Sequence, residues 1–117
     1  MSGRDMGSAK HGSGHWWRQR VSAIALVPLT LWFVFSVAAY TGAPHGAAAA
    51  FLSNPVNAVL MLLFAVVGLS HAVLGLQVVI EDYIDRHATR MSLMLLIRFA
   101  AVLIAAACAV AVLRLAL

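Results

Sequence analysis

A long central stretch of this chain carries no charged side chain. From Val21 to Ile80 there is no Lys, Arg, Asp or Glu. Soluble domains usually have about 25% charged residues, spread over the whole surface. This chain of 117 residues is 10% charged and 63% hydrophobic, so it cannot fold as a soluble globular domain. Its length allows a single domain.

The apolar residues are grouped into three runs, and each has the ~20 residues that a helix needs to cross a ~30 Å hydrocarbon core. None of them alternates apolar and polar residues as the strands of a membrane β-barrel do. We therefore predict an all-α membrane protein with three transmembrane helices. The runs are Val21–Thr41, Asn57–Ile80 and Ser92–Leu115, and the predicted helices cover residues 20–41, 56–82 and 91–115.

The polar segments predict a tail and an orientation. Residues 1–14 are rich in Gly and Ser and are predicted to form a flexible tail before one transmembrane domain over residues 15–117. Seven of the eight Lys and Arg residues lie in the N-terminal segment, in the second loop or just after it, and only Arg114 lies near the C-terminus. By the positive-inside rule, the N-terminus is predicted to be cytoplasmic and the C-terminus to lie on the outer, periplasmic side.

The composition excludes several other functions. The net charge of +4 does not indicate nucleic-acid binding, because the basic residues stand at the ends of apolar runs and form no stripe with interleaved aromatics. Cys108 is the single cysteine, which excludes a disulfide within the chain. No nucleotide-binding loop or catalytic triad pattern is present. We predict no catalytic residue, and we expect the chain to supply ligands and walls to a shared site.

His71 is the most informative residue, because it lies near the middle of the second run. At ~1.5 Å per residue, it is ~16 Å from the charged end at Asp82. Ionisable side chains at that depth are costly and usually functional. Gly68 and Gly75 fall on nearly the same helix face and leave a trough above and below the imidazole. Spacing alone leaves three interpretations open: a histidine bonded to a closely packed helix, a haem ligand with the macrocycle against the glycines, and a proton relay.

Polar residues at the membrane surface give further candidates. Asp82 and Tyr83 are either an aromatic anchor beside loop acids or a proton source and a phenol donor for a lipid-soluble quinone. At the start of the first run, His15 and Arg20 are either anchors or contacts to an anionic group such as a haem propionate. Arg98, inside the third run, is predicted to snorkel to the surface or to pair with a neighbour.

The segment from Ser70 to Tyr83, SHAVLGLQVVIEDY, resembles the second helix of the hydrophobic membrane anchor subunit of succinate dehydrogenase. In that family a Gly follows the motif His by four residues, and an Asp-Tyr pair follows it by eleven and twelve, as in this chain. The segment at Arg20, with small residues after it and His15 shortly before it, also resembles the start of the family's first helix.

The resemblance implies a membrane anchor that is not itself catalytic. It would hold the flavoprotein and iron–sulfur subunits on a bacterial inner membrane, beside a cytochrome b membrane subunit that supplies the second haem ligand. It also implies that His71 ligates haem b, that Tyr83 and the adjacent Asp82 serve ubiquinone, and that Arg20 and His15 approach a haem propionate. The expected role is electron transfer from succinate to quinone in the tricarboxylic acid cycle and respiratory chain. The alternative is a small transporter or proton-conducting subunit with His71 as relay.

Overall fold

The structure is a computed structural model that describes the backbone of residues 3–117 and the side chains of residues 14–117. Three long helices and one short helix make up the described chain. Two of the long helices, and the part of the first that begins at Gly14, are long and apolar enough to cross a membrane. This confirms the predicted all-α class and the three candidate spans. The helices are α1 (Gly3–Tyr40), α2 (Gly46–Ser53), α3 (Pro55–Tyr83) and α4 (His87–Ala116).

The helices differ from the predicted ones in two start positions and in one additional short helix. α1 begins at Gly3 instead of near residue 20, so helical backbone extends into the segment predicted as a tail. Most side chains of that segment lie outside the described residues, and its flexibility stays a prediction. α4 begins at His87, four residues before the predicted start. The short helix α2 was not predicted; it contains the run of four alanines in the first loop, and alanine has the highest helix propensity.

Local sequence signals set the ends of the helices around the first loop. After α1 ends, Gly42 has φ of 79°, a left-handed conformation that glycine adopts without steric cost. Asn54 then caps α3, because its Oδ1 accepts a hydrogen bond from the Val56 N–H at 2.9 Å. Pro55 is the first residue of α3, where the N–H it lacks would have had no partner within the helix. A sharp boundary therefore separates α2 from α3.

α3 is the central helix of the molecule. It packs against both α1 and α4, and α2 packs across α3 and α4. Phe33 of α1 stacks on Phe64 of α3 with ring centroids 4.5 Å apart. Phe51 of α2 contacts the rings of Trp32 and Tyr40 at 5.9 and 5.1 Å. The contacts of Phe51 hold α2 against α1 at the end of the bundle that lies farthest from Tyr83.

Most apolar side chains face outward. The large side chains of Phe35 and Leu103 are each 71% exposed. Exposed apolar surfaces of this kind are suited to contact with lipid tails or with neighbouring transmembrane helices. In that environment the backbone hydrogen bonds must be made within each helix. The described residues that are buried are few and apolar: Leu52, Ala58, Ile80, Met94 and Val112.

Candidate functional site

The contact between α1 and α3 places a hydroxyl beside His71. Ser22 Oγ lies 3.0 Å from His71 Nδ1, across the interface of the two helices. Both residues are partly buried. His71 is therefore hydrogen-bonded to a neighbouring helix, which is the first of the three interpretations that the sequence left open. This bond is also compatible with a haem ligand, because only one ring nitrogen takes part.

The glycine trough beside His71 faces α1. A Cβ atom built on Gly75 would lie 3.8 Å from Gln19 Nε2, and one built on Gly68 would lie 3.9 Å from Leu26 Cδ2. These are ordinary van der Waals distances, so side chains of α1 already occupy the space next to both glycines. Small residues let helices approach closely in membranes. The contacts support close helix packing as the role of the glycines, and a haem-packing role stays a prediction.

The hydrogen bonds of Ser22 are compatible with a metal-binding tautomer of His71. Ser22 Oγ also donates to the backbone carbonyl of Gln19 at 2.9 Å. A serine hydroxyl has one hydrogen and two lone pairs. When that hydrogen points to Gln19, the Nδ1–H of His71 is the donor and Ser22 Oγ accepts. In a neutral imidazole the other nitrogen, Nε2, then carries the lone pair. This is the tautomer that binds a metal through Nε2.

The described hydrogen bonds lead from His71 to Ser22 and then to the carbonyl of Gln19. A backbone carbonyl accepts a hydrogen bond but has no proton to pass on. Within the described part of the chain this path ends at Gln19, and a proton relay through His71 stays a prediction.

Asp82 and Tyr83 lie on an exposed end of α3. Tyr83 is 80% exposed, and Asp82 is also exposed. Arg90 holds this end of the helix: its Nε and Nη2 donate to the carbonyl of Ile84 at 3.0 and 2.8 Å, and its Nη2 also donates to that of Glu81 at 3.3 Å. A cation at a helix C-terminus satisfies carbonyls that have no partner in the helix. Arg90 thus fixes the backbone that presents the phenol and the carboxylate.

Arg20 and His15 are not brought together. The guanidinium carbon of Arg20 lies 5.2 Å from the centroid of the Trp16 ring, a cation–π contact. At ~100° per residue, His15 lies ~140° away from Arg20 around α1. It lines an open groove of about 670 Å³ with Arg18. Its Nε2 is buried and has no hydrogen-bond partner among the described residues. One anionic group would not easily reach both side chains.

A metal centre built from this chain alone is not found in the described part of the structure, which contains no group of three or more His, Cys, Asp or Glu residues suited to a metal ion. The haem iron of a shared site needs only one axial ligand from each of two subunits. His71, whose Nδ1 contacts Ser22 and whose Nε2 has no hydrogen bond among the described residues, fits that requirement.

Sequence reasoning missed two residues of this site. Ser22 lies among small apolar residues, and only the packing register of α1 on α3 shows that it meets His71. Arg90 was predicted only as an orientation signal, although a cation a few residues after a helix end is a known capping signal. That signal could have identified Arg90 from the sequence.

The chain is similar in sequence to known membrane proteins. Residues 3–107 match the family described as succinate dehydrogenase/fumarate reductase transmembrane subunit. The chain is 37% identical over 112 residues to the succinate dehydrogenase hydrophobic membrane anchor subunit of Rickettsia bellii, a match that covers 96% of this chain and 90% of that one. It is 36% identical over 96 residues to the succinate dehydrogenase membrane anchor subunit of Reclinomonas americana, with 80% of each chain covered. It is 33% identical over 102 residues to the hydrophobic membrane anchor subunit of Paracoccus denitrificans, covering 87% and 79%. No solved structure matches the chain significantly. The chain belongs to the family of succinate dehydrogenase and fumarate reductase transmembrane subunits.

Proposed function

We propose that this chain is the hydrophobic membrane anchor of a succinate dehydrogenase complex. It would be a non-catalytic subunit that holds the flavoprotein and iron–sulfur subunits on a bacterial inner membrane, beside a cytochrome b membrane subunit. The family match and the three candidate spans support this role. The observation that carries the cofactor part of the proposal is the Ser22–His71 hydrogen bond, since it leaves one imidazole nitrogen ready to bind iron.

His71 would provide one axial ligand to haem b, and the cytochrome b subunit would provide the other. When bound, haem b supplies a one-electron redox centre within the membrane. Ser22 would keep the hydrogen on Nδ1 and hold the ring in one orientation, the usual role of a hydrogen-bond partner behind a metal ligand. Gly68 and Gly75 would let α1 come close enough for this contact.

Arg20 is the better candidate for a haem propionate. Its cation–π contact with Trp16 restrains the guanidinium, and a restrained guanidinium can give paired hydrogen bonds to a carboxylate. His15 remains a second candidate, although it lies on a different side of α1. The charge and the position near one end of the membrane span support the assignment of Arg20.

Tyr83 and Asp82 would contribute to a ubiquinone site at the end of α3. The phenol would donate a hydrogen bond to a quinone carbonyl, and the carboxylate beside it would accept and deliver protons during quinone reduction. Both side chains are exposed, so the rest of the site would be formed by other subunits. At ~1.5 Å per residue, Tyr83 is ~18 Å along α3 from His71, and the two sites are therefore separable by mutation.

The decisive experiment is the optical spectrum of the purified complex. We expect His71→Leu to remove an axial ligand, so that the low-spin haem b spectrum is lost or converted to high spin. His45→Leu, in the exposed first loop, is the matched control and should keep the wild-type spectrum. A normal low-spin spectrum in His71→Leu would show that the ligand lies elsewhere. A purified wild type with neither haem nor soluble subunits would favour the transporter alternative instead.

A further inference from the structure

Arg98 is a basic residue inside a membrane span that the haem and quinone proposals do not use. Arg90 binds the end of α3, and Arg98 lies ~12 Å further along α4 at ~1.5 Å per residue. A guanidinium at that depth requires an anion or a route to water. Arg98 lines the same groove of about 670 Å³ as Arg18, His15 and Gln77. We call this the main groove.

The main groove has one polar end and one apolar end. Gln19 of α1 lies beside Gly75 of α3, so Arg18 is close to the level of Gln77, and His15 lies at the same end. The apolar end extends along α3 to Val66. From Gln77 to Val66 is ~16 Å at ~1.5 Å per residue, about half of a ~30 Å hydrocarbon core. The length corresponds to one leaflet.

A second groove adjoins the first. It has a volume of about 450 Å³ and shares Arg18, Val66, Ser70 and Leu74 with the main groove. The remaining residues of its wall are largely apolar and come from α1 and α3. The main groove and the adjoining groove therefore meet at Arg18. Together they match the shape of a molecule with one head group and two hydrocarbon chains.

The charge of the grooves indicates the head group. Arg18 and Arg98 both line the main groove, and no carboxylate is among its described lining residues. His15 Nε2 is buried there without a described hydrogen-bond partner. Basic pockets between transmembrane helices are suited to anionic lipid head groups. Leu74 of the grooves and Tyr83 are nine residues apart, or ~180° around α3 at ~100° per residue. The grooves therefore lie on the side of α3 opposite to Tyr83.

We propose that these two grooves bind one anionic phospholipid. Its phosphate lies between Arg18 and Arg98, and its two acyl chains lie in the main groove and the adjoining groove. The lipid neutralises Arg98 within the membrane and fills the space between α1 and α4, which make little direct contact. Ser22, which contacts His71, lines the adjoining groove, so one acyl chain would lie beside the proposed haem site.

The test uses the whole purified complex, stripped of lipid by detergent and analysed by native mass spectrometry. Dioleoyl phosphatidylglycerol is the probe, and dioleoyl phosphatidylcholine and inorganic phosphate are the comparisons. We expect one tightly bound phosphatidylglycerol, and about tenfold weaker binding in Arg98→Gln because a charge-assisted bond is lost. Arg114→Gln, at the other end of α4, is the control and should bind like the wild type.

A second variant separates the acyl channel from the charge. Ala101→Phe adds a ring to the main groove and should also weaken phosphatidylglycerol binding, although both arginines remain. Equal binding of the two lipids would overturn the proposal, as would full competition by inorganic phosphate or wild-type affinity in Arg98→Gln and Ala101→Phe. Loss of another protein subunit from the complex of Arg98→Gln would also overturn it, by showing that the groove is a protein interface.

Discussion

At the scale of single residues, the hydroxyl of Ser22 engages Nδ1 of His71 and leaves Nε2 as the nitrogen that could bind a metal. Its Oγ lies 2.9 Å from the Gln19 carbonyl oxygen and 3.0 Å from His71 Nδ1. A hydroxyl that bonds the preceding turn of its own helix is common in membrane helices. With its hydrogen on that carbonyl, the hydroxyl presents a lone pair to the imidazole. Metal binding by His71, as proposed, would then depend on a residue of a different helix.

This dependence predicts the behaviour of Ser22→Ala. Removing the acceptor frees the ring to rotate or change tautomer, and we expect haem affinity to fall roughly tenfold, as when hydrogen-bond partners of metal ligands are removed. Ser22→Thr keeps the hydroxyl and should retain most of the affinity. The readouts are the haem-to-protein ratio and the low-spin signal in electron paramagnetic resonance. Ser36→Ala, on the same helix, is the control. Normal haem binding and an unchanged signal in Ser22→Ala would remove Ser22 from the site.

A second prediction at this scale concerns Tyr83. Tyr83→Phe keeps the aromatic ring and deletes only the hydroxyl donor, whose hydrogen bond is worth about 0.5–1.5 kcal/mol. We expect the KM for quinone to rise about two- to tenfold, while haem content and succinate oxidation with a soluble acceptor stay near normal. Tyr40→Phe, at the opposite end of the bundle, should leave all three unchanged. If quinone kinetics are unaltered in Tyr83→Phe, the residue is only an aromatic anchor.

At the scale of helices, the close approach of α1 and α3 sets the geometry of the site. Gly75→Ala should be tolerated, because the added Cβ would stand 3.8 Å from the end of the flexible Gln19 side chain. Gly75→Leu adds three more carbons to a filled space, and overpacking of this kind costs about 1–3 kcal/mol. We expect Gly75→Leu to separate the helices and lower both haem content and the thermal unfolding midpoint.

Gly46→Leu is the control for this pair, since nothing lies within 4 Å of a Cβ at that position. It should leave haem content unchanged. Wild-type haem content and stability in Gly75→Leu would mean that α1 and α3 are not held together at this face, and the packing role of the glycines would then be wrong.

The sequence predicts the three candidate spans well, because the length of an apolar run and its charged ends determine a membrane span. It does not predict that α1 extends back to Gly3. It also predicts that His71 is unusual, because depth follows from counting residues. It does not predict the partner of His71. Two helices can pack in several registers and rotations, and only side-chain packing selects the one that brings Ser22 to the imidazole. α2 was missed because its eight residues are too few to show a helical period.

At the scale of the whole molecule, the charge distribution predicts the orientation in the membrane. The N-terminal segment and the second loop carry most of the basic residues, whereas the first loop has none. If this orientation is correct, Tyr83 lies at the cytoplasmic surface, where electrons would arrive from the proposed iron–sulfur subunit. If it is reversed, the soluble subunits and Asp82 are on opposite sides of the membrane and the quinone proposal fails. The orientation is therefore the prediction on which the assembly depends.

Single cysteines test the orientation in a Cys108→Ala background, since Cys108 is the only native thiol. Ala43→Cys lies in the first loop and Asp85→Cys in the second, and both positions are exposed. In spheroplasts treated with a membrane-impermeant maleimide, we expect Ala43→Cys to be labelled at once. Asp85→Cys should react only after detergent has opened the membrane and released the soluble subunits. The opposite pattern would place the second loop outside and would separate Tyr83 from its electron source.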